Sequence, residues 1–162
     1  MNTKELQKKQ LELDSYICKK NNIDPKKIFF KKIIALDVEL SEFMNEIESF
    51  KYWKANKKDN REKIIEEACD CLHFILSLSN DLNVDLTVTS IVNNCTDINN
   101  IYRLMKNDLW KALYLDREVN SIKRMYVMLI DILNILEFNY SDLLKEYNKK
   151  YEINIKRQNE GY

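Results

Sequence analysis

Glu39 and Glu42 stand three residues apart, and so do Glu67 and Asp70. On helices that spacing sends both carboxylates of a pair out of one side. The only other acidic pair at this spacing, Asp59 and Glu62, is explained as a capping box that opens a helix. On a helical wheel Glu67 falls between Phe74 and Leu78 with Asp70 close by, so both acids sit within or beside apolar surface. Glu39, Glu42 and Glu46 line one flank of their helix, next to Leu40 and Phe43. An isolated buried carboxylate costs several kcal/mol or shifts its pKa by roughly 3 to 5 units. Two such pairs facing each other therefore need a counter-charge. Lys and Arg can supply one, but four oxygen ligands on two packed helices also suit a hard cation such as Mg. The plain alternative is a solvated acidic face with scattered ion pairs.

The elements that must position these acids follow from composition and periodicity. The chain of 162 residues has one glycine, Gly161, and one proline, Pro25. Strand-rich folds need turn residues at short intervals, whereas helices can be joined by a few Asn, Asp and Ser, so the expected fold class is all-α. A first helix is expected over residues 4–18, with Leu6, Leu13 and Ile17 on one face, broken by Asn21 and Asn22. Asp24 and Pro25 read as N-cap and first residue of a second helix over 25–52, striped by Leu36, Leu40, Phe43 and Ile47. Residues 54–60 form a loop. The third helix, 64–78, is apolar nearly all round, which predicts neighbours on every side. The β-branched stretch 80–94 reads as a short helix or an irregular connector. Helices resume over 97–114, 117–138 and 141–157, the last capped by Ser141. No repeat or linker divides the chain, so residues 1–162 are expected to form one domain.

Charge and cysteine usage exclude several functions. Lys plus Arg number 26, and so do Asp plus Glu, so no global field draws the chain to nucleic acid or an acidic membrane. With 45% apolar and 32% charged residues and no long apolar run, a soluble protein is expected. Lys4, Lys8 and Lys9 lead into amphipathic sequence, which is unlike a secretory leader. Of Cys18, Cys69, Cys71 and Cys95 only the middle two are close, at a spacing wrong for zinc, and one histidine cannot complete a site. Reduced, buried thiols in a cytoplasmic protein are the expectation.

The words around the acids resemble a known family, the all-α nucleotide pyrophosphohydrolases, which include MazG-type enzymes, dCTP pyrophosphatases and dimeric dUTPases. Their E-x-x-E and E-x-x-D pattern corresponds to Glu39, Glu42, Glu67 and Asp70. VELSEFMNEIESFKYW at 38–53 and EEACDCLHFILSLS at 66–79 look like the second- and third-helix motifs of the dimeric dUTPases. Gln10, Leu13 and Asp14 resemble their first-helix word. Tyr147, Lys150, Asn154, Arg157, Gln158, Gly161 and Tyr162 resemble their C-terminal signature, with a departure at Tyr151, where members usually carry Asn.

The resemblance implies a multi-helix bundle and a homodimer that cuts dUTP, and dUDP, to dUMP with attack on the β-phosphorus. It implies two or three Mg ions on Glu39, Glu42, Glu67 and Asp70, with Glu39 the candidate to accept the proton of the attacking water. Lys150, Asn154 and Arg157 share a helix face and would close over the phosphates. The base and sugar would be met by Gln10, Asp14, Trp53 and His73, with Phe74 as packing surface. Each has an ordinary reading too: Gln10 in solvent, Trp53 and Phe74 in the core, His73 as a half-buried hydrogen-bonded ring, and the cations as a solvated helix end. For the dimer face, Leu109, Trp110, Leu113, Val127, Leu129, Ile130 and Leu133 are the candidates. Two competing functions are a dCTP or other house-cleaning pyrophosphohydrolase on the same fold, and a catalytically silent helical dimer acting as a regulatory partner. Loss of one of the four acids would favour the latter, and all four are present.

Overall fold

A computed structural model describes residues 3–87, 96–114 and 119–161, with side chains 113, 114 and 119 left out. Among these residues six α-helices follow in order: α1 Thr3–Lys20, α2 Phe29–Ile47, α3 Arg61–Asp81, α4 Ile98–Tyr114, α5 Val119–Ile135 and α6 Tyr140–Asn159. A single 3-10 turn, Pro25–Lys27, precedes α2, and there is no strand among the described residues. The all-α expectation holds.

α3 lies at the centre. It packs on α1, α2, α5 and α6, and its partnership with α2 is the most extensive in the molecule. This is why its sequence lacks a polar face: Ala68, Cys69, Cys71, Leu72, Ile75, Leu76 and Leu78 are all fully buried. The α2 stripe of Leu36, Leu40, Phe43 and Ile47 is buried against it, and one apolar core runs through all six helices. Each fully buried Leu contributes roughly 2 kcal/mol by removal from water. The same pairing fixes α2 against α3 along the length that carries Glu39 and Asp70.

Helix ends differ from the sequence expectation, each for a local reason. Asp24 does cap the turn at Pro25, accepting from the Lys26 N–H at 3.0 Å, but Ile28 interrupts the chain before α2 begins. α2 stops at Ile47, not Tyr52, because Glu48 adopts the left-handed conformation (φ 57°) and its N–H returns to the Met44 carbonyl. Its carboxylate, 1% exposed, then gathers the following loop by accepting from Lys51, Lys54 and the Lys58 N–H. The N-cap of α3 is Asn60 and not Asp59, which is exposed. The cap of α6 is Asn139, whose N–H donates to Asp142, and Ser141 lies inside the helix. Residues 84–87 carry no regular structure, and the rest of the β-branched stretch, 88–94, lies outside the described residues.

The proposed dimer face needs a correction. Leu109, Val127, Leu129 and Leu133 are buried in the core of their own chain, and Ile130 packs against it. Leu113 lies outside the described side chains. Trp110 alone is exposed, at 53%. The larger exposed apolar stripe is Phe30, Ile34 and Val38, one face of α2. Periodicity identified an apolar face on α4 and α5 without saying which neighbour it meets, and that neighbour is this chain's own core.

Candidate active site

Where α2 crosses α3, Glu39, Glu67 and Asp70 each bring a carboxylate oxygen to within 4.8 Å of the others. All three are half-buried. Burial pushes the Glu39 carboxyl up to about 7, reinforced by the charges of Asp70, Glu42 and Glu67 and opposed only by Lys150. Glu67 and Asp70 are raised as well, again chiefly by burial. Among the described residues no donor reaches the Glu39 carboxylate. Three hard oxygen donors whose mutual repulsion is so poorly relieved fit a divalent cation in chemistry and spacing. Glu42, the fourth acid of the pattern, is exposed and stands outside this group of three, acting on Glu39 and Glu67 through its charge.

α6 lays its cations along the same place. Lys150, 8% exposed, donates to Asp70 Oδ2 at 2.6 Å and to Glu66 Oε1 at 3.2 Å. Burial alone would lower its pKa, but the bonds and charges of Asp70 and Glu66 outweigh that and hold it raised. Glu66 also takes Lys63 at 2.6 Å, the main reason its own pKa falls. Sequence reasoning passed over Glu66, although its place four residues before Asp70 put it on the same side of α3. Arg157, exposed about two turns further along α6, lowers Asp70 through its charge.

A cavity of about 460 Å³ opens beside the acids. Its volume suits a small polar ligand. Glu39, Asp70, Lys150, Asn154 and Arg157 line it together with Gln10, Asp14, His73 and Phe74. Of the expected substrate residues only Trp53 is absent from this wall. It is 64% exposed on the loop after α2, in edge contact with Phe50 and Tyr52. That loop was expected as the last turns of α2, and the Glu48 cap turns it away. Gln10 is 4% exposed, so its solvent reading fails. His73 is 6% exposed, stacked on Tyr147 at 4.4 Å, and burial holds its pKa down at about 3.

Sequence reasoning missed Lys32 and Ser77, which also line the cavity. Both carried a signal. Lys32 precedes Glu39 by seven residues and Ser77 follows Asp70 by seven, two helical turns in each case.

An all-helical bundle that turns crowded carboxylates toward a cavity edged by a Lys and an Arg has the chemistry to hold a cation and a phosphorylated small molecule together. The particular family follows from comparison of the whole chain: a family model described as dUTPase matches residues 2–162, and the chain belongs to that family. Its reaction is the hydrolysis of dUTP to dUMP. No curated protein sequence matches the chain.

Proposed function

We propose that the chain is a magnesium-dependent dUTP diphosphatase that releases pyrophosphate and also accepts dUDP, with residues 1–162 working as one catalytic domain. The observation that carries this is the group formed by Glu39, Glu67 and Asp70, left without enough cation of its own and open to a cavity edged by Lys150 and Arg157. Two or three Mg ions held by these acids, with Glu42 joining from the solvent edge, would supply charge neutralisation for the phosphates and lower the pKa of a bound water. Glu39 is the proton acceptor in this reading, because it lines the cavity and no donor among the described residues occupies its carboxylate. Lys150 exchanges Asp70 for a phosphate oxygen when the cations are in place. Asn154 and Arg157, four and seven residues on, extend that contact along the nucleotide's phosphates. Gln10, Asp14 and His73 take the nucleoside end, with Phe74 as its apolar wall.

Two further proposals concern the setting. A homodimer would cover the Phe30, Ile34 and Val38 stripe, in place of the α4 and α5 residues that the core already uses. A cytoplasmic location agrees with Cys18, Cys69 and Cys71 being free and buried, and with no described helix being long and apolar enough to cross a membrane. The test of the function is pyrophosphate release from dUTP, dCTP, dTTP and UTP, with and without Mg. Hydrolysis of dUTP alone and only with Mg is expected. Faster release from dCTP, or full activity in chelator, would overturn the reading.

A further inference from the structure

Lys150 comes from α6 to a place between two carboxylates of α3. Its ammonium donates to Asp70 Oδ2 at 2.6 Å and to Glu66 Oε1 at 3.2 Å. The two acids are four residues apart, about one helical turn, so a cation from a neighbouring helix can span them. Their company differs. Asp70 shares its surroundings with Glu39 and Glu67, whereas Glu66 stands outside that group. The other oxygen of Glu66, Oε2, accepts from Lys63 at 2.6 Å, from one turn earlier on α3. Glu66 is thus oriented by its own helix and keeps one oxygen for Lys150.

A divalent cation entering the group of Glu39, Glu67 and Asp70 meets this ammonium as a competitor for Asp70. The ammonium must then find another partner, because a buried charge left unpaired beside a second cation costs several kcal/mol. Water is a poor substitute, since Lys150 is only 8% exposed. Swinging outward would also release α6, whose buried face consists of Leu143, Tyr147 and Lys150, with Lys150 the last of the three. Glu66 is already within bonding distance, so the ammonium can change partners without moving the helix. An ammonium has three protons, and a single bond to Glu66 leaves the others for phosphate oxygens.

We propose that Glu66 is a positioning residue that receives Lys150 when a divalent cation takes Asp70, so that the cation enters without stranding the ammonium and Lys150 stays on the cavity wall. This rests on the reading of the acids as a Mg site. Without Glu66, Lys150 has Asp70 as its one carboxylate partner, and a cation must displace an ammonium that has nowhere to go. Without Lys150, there is nothing for Glu66 to receive, and its removal no longer matters to the cation. Glu66 therefore acts on metal binding only through Lys150.

The test is calorimetric Mg binding to the full chain without nucleotide, at one pH and about 0.15 M salt to screen distant charges. Glu66→Ala should weaken Mg binding at least about fivefold. Lys150→Met should strengthen it, because the competing ammonium is gone. Adding Glu66→Ala to Lys150→Met should then change the affinity less than about twofold. Lys150→Gln, which removes the charge but keeps a polar end, gives the same comparison if the Met variant does not fold. A Glu66→Ala loss that persists at full size in the double variant overturns the proposal, since Glu66 would then be a metal ligand or act through its charge alone. Unchanged affinity in Glu66→Ala overturns it, and so does weaker binding in folded Lys150→Met. Failure of the Mg reading shows differently, as wild-type protein that binds no Mg, and takes this inference with it.

Discussion

Glu39 and Glu48 sit nine residues apart, one on α2 and one at its end, and their surroundings give them opposite electrostatics. Glu48 is the more buried, at 1% exposed, yet Lys54, Lys51 and the Lys58 N–H surround it and hold its pKa down to about 2, the Lys54 bond contributing most. Glu39 is only half-buried, but it faces other carboxylates and its pKa rises to about 7. Burial alone therefore does not mark a functional acid. A carboxylate that stabilises the fold is given its partners by the fold, as Glu48 is, whereas one left short of cations holds a deficit that a ligand can fill.

The sharpest way to break this contrast is to remove an acid from each side of it. Asp70→Ala should leave the helices intact, because it relieves like-charge crowding, while dUTP hydrolysis falls at least about a hundredfold, or roughly 2.7 kcal/mol of barrier. Circular dichroism and pyrophosphate release check the two halves. Retention of more than about a tenth of the wild-type rate would remove Asp70 from the metal set.

Arg157 tests whether the cation side of the site is catalytic or decorative. It is exposed, so Arg157→Ala should change stability by a few tenths of a kcal/mol at most. If it contacts the phosphates as charge develops, kcat/KM for dUTP should drop about tenfold, or roughly 1.4 kcal/mol. Unchanged kinetics would confine the phosphate role to Lys150. Glu48→Gln should do the reverse of both: its loop loses its anchor and the melting temperature falls by several degrees, while kcat/KM per folded molecule and Mg affinity stay near wild type. Loss of Mg binding in Glu48→Gln would erase the distinction between the two acids.

How much of this was legible in sequence differs between the same two places. The spacings of Glu39 with Glu42 and of Glu67 with Asp70 and the all-round apolar α3 are properties of one helix each, so periodicity reports them directly, whereas the convergence of Glu39, Glu67 and Asp70 depends on how α2 packs on α3. The Glu48 cap depends on Lys54 and Lys58, brought back by a turn that its own left-handed backbone begins, and no helical wheel contains that information. The polar run from Lys32 through Asp14 and Gln10 to His73 spans α1, α2 and α3, and each residue looks ordinary on its own helix. Those dimer candidates on α4 and α5 that the core takes up, Leu109, Val127, Leu129 and Leu133, were misplaced for the related reason that an apolar face does not name its partner.

The smallest effect is also the one that separates the two acids without any substitution. For Glu39 the folded pKa of about 7 lies above the ordinary carboxylate value of 4.5, so the fold favours its protonated form. Its contribution to stability is complete below 4.5 and is lost as pH rises through 7. Glu48 is the mirror case: with a folded pKa near 2, its contribution is complete above 4.5 and is lost as pH falls toward 2. The metal-free protein should therefore lose some melting temperature between pH 5 and pH 8, and saturating Mg should remove that decline, since the cation replaces the proton. Calorimetric titration with Mg in buffers of different ionisation enthalpy should find protons released at pH 6, when the acid cluster is still partly protonated, and almost none at pH 9. Release that does not vary with pH would mean that the cluster is ionised throughout, and the contrast between the raised Glu39 and the lowered Glu48 would then be lost.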